Sequence, residues 1–315
     1  MKYFLDTKFH EYNKNIKLFG KQIKQTPTLE LISIGIVSET RTRTISVPNE
    51  YTNIGVTNSK LTADTNDSCN WNTWEYALPI GEYSITSIKD NQVKLNYFTT
   101  YYAICNEFNL KDAWEDLWLR NNVLISIYQG LKLNDIRNSD IGKETLHIDF
   151  NDWTEFPKIY YKDLKQLINK YGKSSNQIST EIESFLGTEN VETKFGTIEK
   201  KYPNERAQFY GYYNTTDWML FYRLFDTKLL NLPPNINWTC FDLKQDLDMI
   251  VQYKANAIDK QSDSVPSKQT FDSVLYEIKS SPNYPTQYNE HKSIDDAVWN
   301  KKLYTFLKHQ LNEIK

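Results

Sequence analysis

The run LELISIGIVSE at 29–39 constrains this chain more than any other segment. It is apolar and rich in β-branched residues, the composition a buried strand requires. Residues 2–7 form a shorter apolar run, and FTTYYAICNEF at 98–108 reads as a third strand. Three successive strands without a crossover helix imply an antiparallel meander. The segment between the first two contains Lys, Asn and Pro27, which suit a turn.

The remainder alternates strand and helix patterns. AWEDLWLRNNVL at 113–124 has amphipathic helical spacing, and NQISTEIESFLG at 176–187 sets Ile178, Ile182 and Phe185 on one face with Gly187 near its end. TLHIDF after 129 reads as a strand. AQFYGYY at 207–213 is a central-strand candidate, Asn214 to Thr216 its connection, and DWMLFYRLFDTKLL at 217–230 the following helix. Pro233 and Pro234 interrupt that pattern, 242–254 restarts it, and 255–270 reads as a polar connection, with FDSVLYEIK at 271–279 decorating it. HKSIDDAVWNKKLYTFLKHQL at 291–311 repeats Ile294, Val298 and Leu303 along one helical stripe. The expectation is one α/β domain over 1–315, a mixed sheet flanked by helices. Residues 48–96, polar and Asn/Thr-rich with a hairpin around Asp90 and Asn91, form an inserted accessory element that offers a surface for a protein partner.

Charge and cysteine usage narrow the function classes. With 37 Lys+Arg against 40 Asp+Glu, the net charge near −3 provides no global field for duplex DNA. The 8 Trp, 22 Tyr and 15 Phe supply core material and leave side chains for base stacking. Cys69, Cys105 and Cys240 lie far apart, against a structural zinc site or disulfide framework. The opening MKYFLDTKFHEY lacks a secretory apolar run and no membrane-spanning stretch follows, so a reduced, cytoplasmic protein without membrane attachment is expected. No GxxxxGK[ST] loop occurs, since GKSS at 172–175 lacks the upstream glycine, and no GxSxG motif supports serine hydrolysis.

On an N-terminal strand, Asp6 and residue 8 share a face, where two carboxylates would share metals. Residue 8 is Lys8, whose cation opposes a divalent ion at close range and is also suited to a substrate phosphate. Glu11 is the nearest acid that would compensate, but its position beyond the strand alters face and reach. Asp217 opens a helix after a strand, where it either caps backbone donors or enters a site. His291 and Asp296 open the terminal helix, within reach of one site as water activator and metal ligand. Phe9 is suited either to stacking a terminal base or to core packing, and His10 to a phosphate contact. Lys21, Lys24, Arg41, Arg43 and Lys111 are candidates for steering a single strand, and Trp71, Trp74, Trp114 and Trp118 for recognition surfaces or packing.

In order, FLDTKF, LELISIGIVSE, YYAICNEFN, AWEDLWLRNNVL, FYGYYNTTDWMLFYRLF, WTCFDLKQ and HKSIDDAVW resemble successive landmarks of the DEDDh exoribonucleases, specifically the small bacterial polyadenylate-specific or RNase-T-like branch. The resemblance covers about 1–47, 97–128 and 176–311, with 48–96 and the connection 257–284 longer than that family needs. It implies a ribonuclease-H-like fold and 3'-to-5' release of nucleoside 5'-monophosphates from single-stranded RNA, with single-stranded DNA the second substrate. It implies Mg²⁺ or Mn²⁺ held by Asp6, Asp217 and Asp296, and His291 as general base, so that Asp6, Asp217, His291 and Asp296 are catalytic; Phe9, His10 and Lys8, beside that site on the first strand, are the substrate-binding candidates by position and chemistry. The family's second carboxylate falls at Lys8, where this chain departs from the pattern. A catalytically silent nucleic-acid or nucleotide-binding module is the alternative.

Overall fold

The computed structural model describes residues 1–18, 21–46, 61–62, 81–89, 92–137, 159–186, 188–193, 196–201, 206–225, 232–259 and 267–314. Its scaffold is the long antiparallel pair β1 (Lys2–Leu18) and β2 (Lys21–Ser38), registered from Tyr3↔Ser38 to Leu18↔Lys21. Both strands are buried near the Tyr3–Ser38 end, which explains their near-continuous apolar character. Tyr3 and Leu5 enter one core with Ile34 and Ile36, whereas Phe4 and Val37 enter a second core on the opposite face.

β3 (Arg41–Ser46), β4 (Leu61–Thr62), β5 (Gly81–Lys89) and β6 (Gln92–Ile104) follow. The carboxyl end of β6 pairs antiparallel with β2 over Thr100 to Ile104, completing the expected meander. Its opening half extends the sheet by pairing with β3 and β5, and the β5–β6 register closes at Lys89↔Gln92 around the hairpin expected at Asp90 and Asn91. Those two residues lie outside the described ones, as do TLHIDF and most of the accessory segment, Trp71 and Trp74 included.

β7 (Thr188–Thr193) and β8 (Gly196–Lys201) form a separate hairpin. β9 (Ala207–Gly211) and β10 (Ile236–Asp242) then join the main sheet in parallel, giving the order β10-β9-β1-β2-β6. The protein is therefore α/β, with a mixed sheet built on these five strands and extended beyond β6 by β5, β4 and β3.

Helices cover both faces. α1 (Leu110–Glu115), α2 (Leu117–Leu119), a π-helical turn at Arg120–Leu124, α3 (Ile125–Arg137) and α4 (Tyr161–Tyr171) pack around Ile32, Ile104 and Phe108. α5 (Ser175–Phe185) and α6 (Thr215–Arg223) lie over Tyr3, Leu5 and Phe209. α7 (Leu243–Asp259), α8 (Lys268–Lys279) and α9 (Ser293–Ile314) cover Phe4, Val37 and Tyr210. Among the described residues no helix is long and apolar enough to cross a membrane.

Several local expectations are corrected. Pro27 is inside β2, opposite Asn13, not in a turn. β2 pairs with β6 only over Ser33 to Val37, so Pro27 lies where the ladder is one-sided and a missing N–H is tolerated. Glu11 is within β1 opposite Leu29, not beyond the strand. The helix expected over 113–124 breaks at Asp116, which is extended (ψ 110°) and whose side chain accepts from Leu119 N to start a new turn. Thr215 and Thr216 belong to α6, and α7 continues to Asp259 before the polar connection begins. α6 ends at Arg223, with 226–230 outside the described residues.

Candidate functional site

The site forms where β9 ends and leaves the edge of β1 open. β9 pairs with Lys2 to Phe4, then turns at Gly211 into α6. A Cβ on Gly211 would fall 2.8 Å from Asn214 Cβ and 3.1 Å from Leu5 O, so only glycine allows this turn to stay tight. Asn214 is buried and donates through Nδ2 to Cys240 Sγ (3.0 Å) and Phe241 O (2.6 Å), fastening the turn to β10. Asp217 in the first turn of α6 thereby faces β1, where its Oδ1 accepts from Thr7 N (3.0 Å) and Thr7 Oγ1 (2.5 Å).

The opposite wall is the start of α9. Gly35 pairs with Asp6 across β1 and β2, and a Cβ there would fall 2.4 Å from Ser293 O and 2.5 Å from Ile294 Cα. Glycine thus lets the α9 backbone rest directly on β2. Ser33 Oγ and Ser293 Oγ lie 3.0 Å apart, and Asn300 Nδ2 donates to Leu5 O at 2.9 Å, securing the next turns. This docking carries Asp296, on the first turn of α9, over the Asp6 face of the sheet.

Lys8 joins the two sides. Its Nζ is 2.8 Å from Asp6 Oδ2 and 2.7 Å from Asp296 Oδ2. Asp6 Oδ2 accepts no well-aligned hydrogen bond and has the Lys8 ammonium as its charge partner. Asp296 is more fully held, accepting from Gln287 Nε2 at 2.7 Å and from His291 N at 3.1 Å. A bulge at Ile32 lies opposite the step from Lys8 to Phe9, and turns Ile32 into the core beneath α3 and α4.

The electrostatics follow from burial. Burial raises the Asp6 pKa well above its ordinary value; Lys8 opposes the rise, and Asp217 and Asp296 add to it. Asp217 is raised by burial too, against the Thr7 hydrogen bonds and the Lys8 charge. For Lys8, burial favours the neutral amine, but Asp6 and Asp296 outweigh it, so the pKa is raised and the side chain stays an ammonium.

Asp6, Lys8, Asp217 and Asp296 therefore converge, with His291 attached through its backbone. The His291 imidazole packs edge-on against Trp118, ring centres 4.9 Å apart, and its φ of 75° is left-handed. Phe9 packs on the core beneath α6. His10 is buried and stacked on Tyr12 at 4.7 Å, with Nδ1 unpartnered. Lys24 and Lys111 are exposed, whereas the side chains of Lys21 and Arg43 lie outside the described residues. Trp114 makes an edge contact with Tyr161.

Two site residues escaped the sequence reading. Thr7 lies between Asp6 and Lys8, but strand alternation assigns it to the other face and hides its contact with Asp217. Gln287 sits in an irregular segment before α9, with no periodicity to single it out.

The donors present do not fit a divalent metal. Carboxylate oxygens bind such ions at about 2.0–2.6 Å, and the space within that distance of Asp6 and Asp296 is taken by the Lys8 ammonium. Among the described residues, no group of three or more His, Cys, Asp or Glu side chains is arranged to hold a metal. Compared with protein-family models and with curated proteins, the chain matches none of either.

Proposed function

We propose that this chain is a DEDDh-type exoribonuclease variant of ribonuclease-H-like fold, whose site engages the 3' end of single-stranded RNA and whose metal-dependent hydrolysis is suppressed by Lys8. The observation that carries this reading is the convergence of Asp6, Asp217 and Asp296, from a strand and two helix starts, at the carboxyl end of the parallel strands. Ligands of open α/β sheets bind at such edges, and three carboxylates gathered there cost too much desolvation to serve as simple helix caps.

The surroundings favour an unstacked strand as the ligand. Trp118 is 54% exposed beside His291, and Tyr213 is 64% exposed at the entrance to α6, held at a φ of 54° by a backbone bond to Asp242 Oδ1. Exposed rings near a strand end provide faces on which bases stack. The His291 imidazole is the group we assign to proton transfer. Lys8 carries the binding-only side of the proposal, because its charge is committed to Asp6 and Asp296. Metal-supported hydrolysis belongs to a chain with a carboxylate at position 8.

The test pairs this protein with Lys8→Glu on 5'-labelled and 3'-labelled single-stranded RNA, with and without Mn²⁺. The expected result is saturable RNA binding with negligible turnover by the parent, and stepwise 3'-to-5' release of mononucleotides by the variant in Mn²⁺. Internal cleavage, or absence of RNA binding by both proteins, would overturn the reading. Matched DNA strands test the sugar preference, which equal binding would remove.

A further inference from the structure

We infer that the Lys8 ammonium is the resident cation of this site, a covalently attached replacement for a bound divalent ion that makes the arrangement independent of metal. Buried carboxylates from distant parts of a chain repel one another unless a positive charge lies between them. Asp6 and Asp296 approach through the docking of α9 on β2, and the charge between them is Lys8 Nζ, at 2.8 and 2.7 Å. Its side chain is 14% exposed, so solvent screens the contacts little.

The neighbouring contacts fit a permanent occupant. Gln287 Nε2 and His291 N donate to Asp296, and Thr7 donates twice to Asp217, so both acids are oriented by donors of the chain itself. Asp6 Oδ2 is the exception, with no aligned donor and Lys8 as its charge partner. Asp6 is thus the group most dependent on the ammonium. An entering divalent ion would have to expel a lysine tethered by its own strand and neutralised on two sides.

This inference concerns ion occupancy and stands whether or not the protein binds RNA, so its failure is distinguishable from failure of the functional proposal. The experiment follows loss of the free Mn²⁺ electron paramagnetic resonance signal on titration with the full chain, together with thermal unfolding in EDTA and in Mn²⁺. For the parent the expectation is an unchanged Mn²⁺ signal and unfolding midpoints within about 1 °C of each other. Lys8→Glu should take up Mn²⁺ and unfold at a midpoint that rises with Mn²⁺ and falls on chelation by about 5–10 °C. If Lys8→Glu folds only with the ion, unfolding on chelation supports the inference, and Lys8→Ala supplies a variant that vacates the space without adding charge. Saturable Mn²⁺ uptake by the parent overturns the inference, as does absence of uptake by both variants.

Discussion

The two halves of the hairpin formed by β1 and β2 use the same alternating pattern under opposite conditions. From Tyr3 to His10 the strand is covered by helices, and Lys8 meets Asp296 of α9. From Glu11 to Lys14 the strand continues with Glu11, Asn13 and Lys14 exposed. Lys8 and Lys14 are both even-numbered lysines of one strand, yet only Lys8 is held between buried acids. A strand pattern sets which way a side chain points, and the layer above it sets what that side chain is worth.

The largest contrast should come from Lys8→Met, which keeps the apolar stem and removes the charge. Leaving Asp6 and Asp296 unpaired should cost about 3–5 kcal/mol, read by chemical denaturation at pH 8. Acid should restore part of it. Asp6 and Asp217 have raised pKa values in the fold, so as pH falls they take up protons before the unfolded chain does, which favours folding until the ordinary carboxylate range is reached. A deficit as large at pH 5 as at pH 8 would show that these acids are not the source of the cost.

Gly35→Ala comes next, at about 3 kcal/mol, because the added methyl meets backbone of Ser293 and Ile294 that no rotamer change can move. Resistance to unfolding and the proposed RNA binding should fall together, since α9 carries Asp296. An alanine variant as stable as the parent would mean that α9 does not rest on β2 as closely as described. Thr7→Val should cost about 1–3 kcal/mol by removing one donor from buried Asp217 while keeping the shape. A denaturation midpoint unchanged within error would remove Thr7 from the site. At the outer half, Glu11→Gln should change stability by no more than about 0.5 kcal/mol, and a larger loss would erase the contrast between the two halves.

Much of the sheet was legible because strand periodicity is local. The antiparallel order of β1, β2 and β6, the strand from Ala207 and the helix bearing Asp217 all follow from apolar spacing and turn residues. Less legible were elements set by a single polar group or a distant neighbour. Asp116 breaks one apparent helix by capping the next, and Pro27 remains in a strand because the ladder is one-sided there. β10, whose residues from Asn237 to Asp242 are all intermediate or exposed without regular alternation, has too little apolar patterning to announce itself as a strand.

The sequence by itself determined which groups exist to be used: acids at 6, 217 and 296, a lysine at 8, and the periodicities that set them on a strand and two helix starts. It determined too that Asp6 and Lys8 share a face, because alternation along a strand is a property of the backbone alone. Only the tertiary structure decided that Lys8 would be bound to Asp296 as well as Asp6, that Thr7 would cap Asp217 across an open strand edge, and that Gly35 would admit α9 to contact. The physical reason is range. Backbone preferences act over a few residues of sequence, whereas the energy of a buried charge depends on the charges near it in space, and here one of those neighbours, Asp296, comes from the far end of the chain.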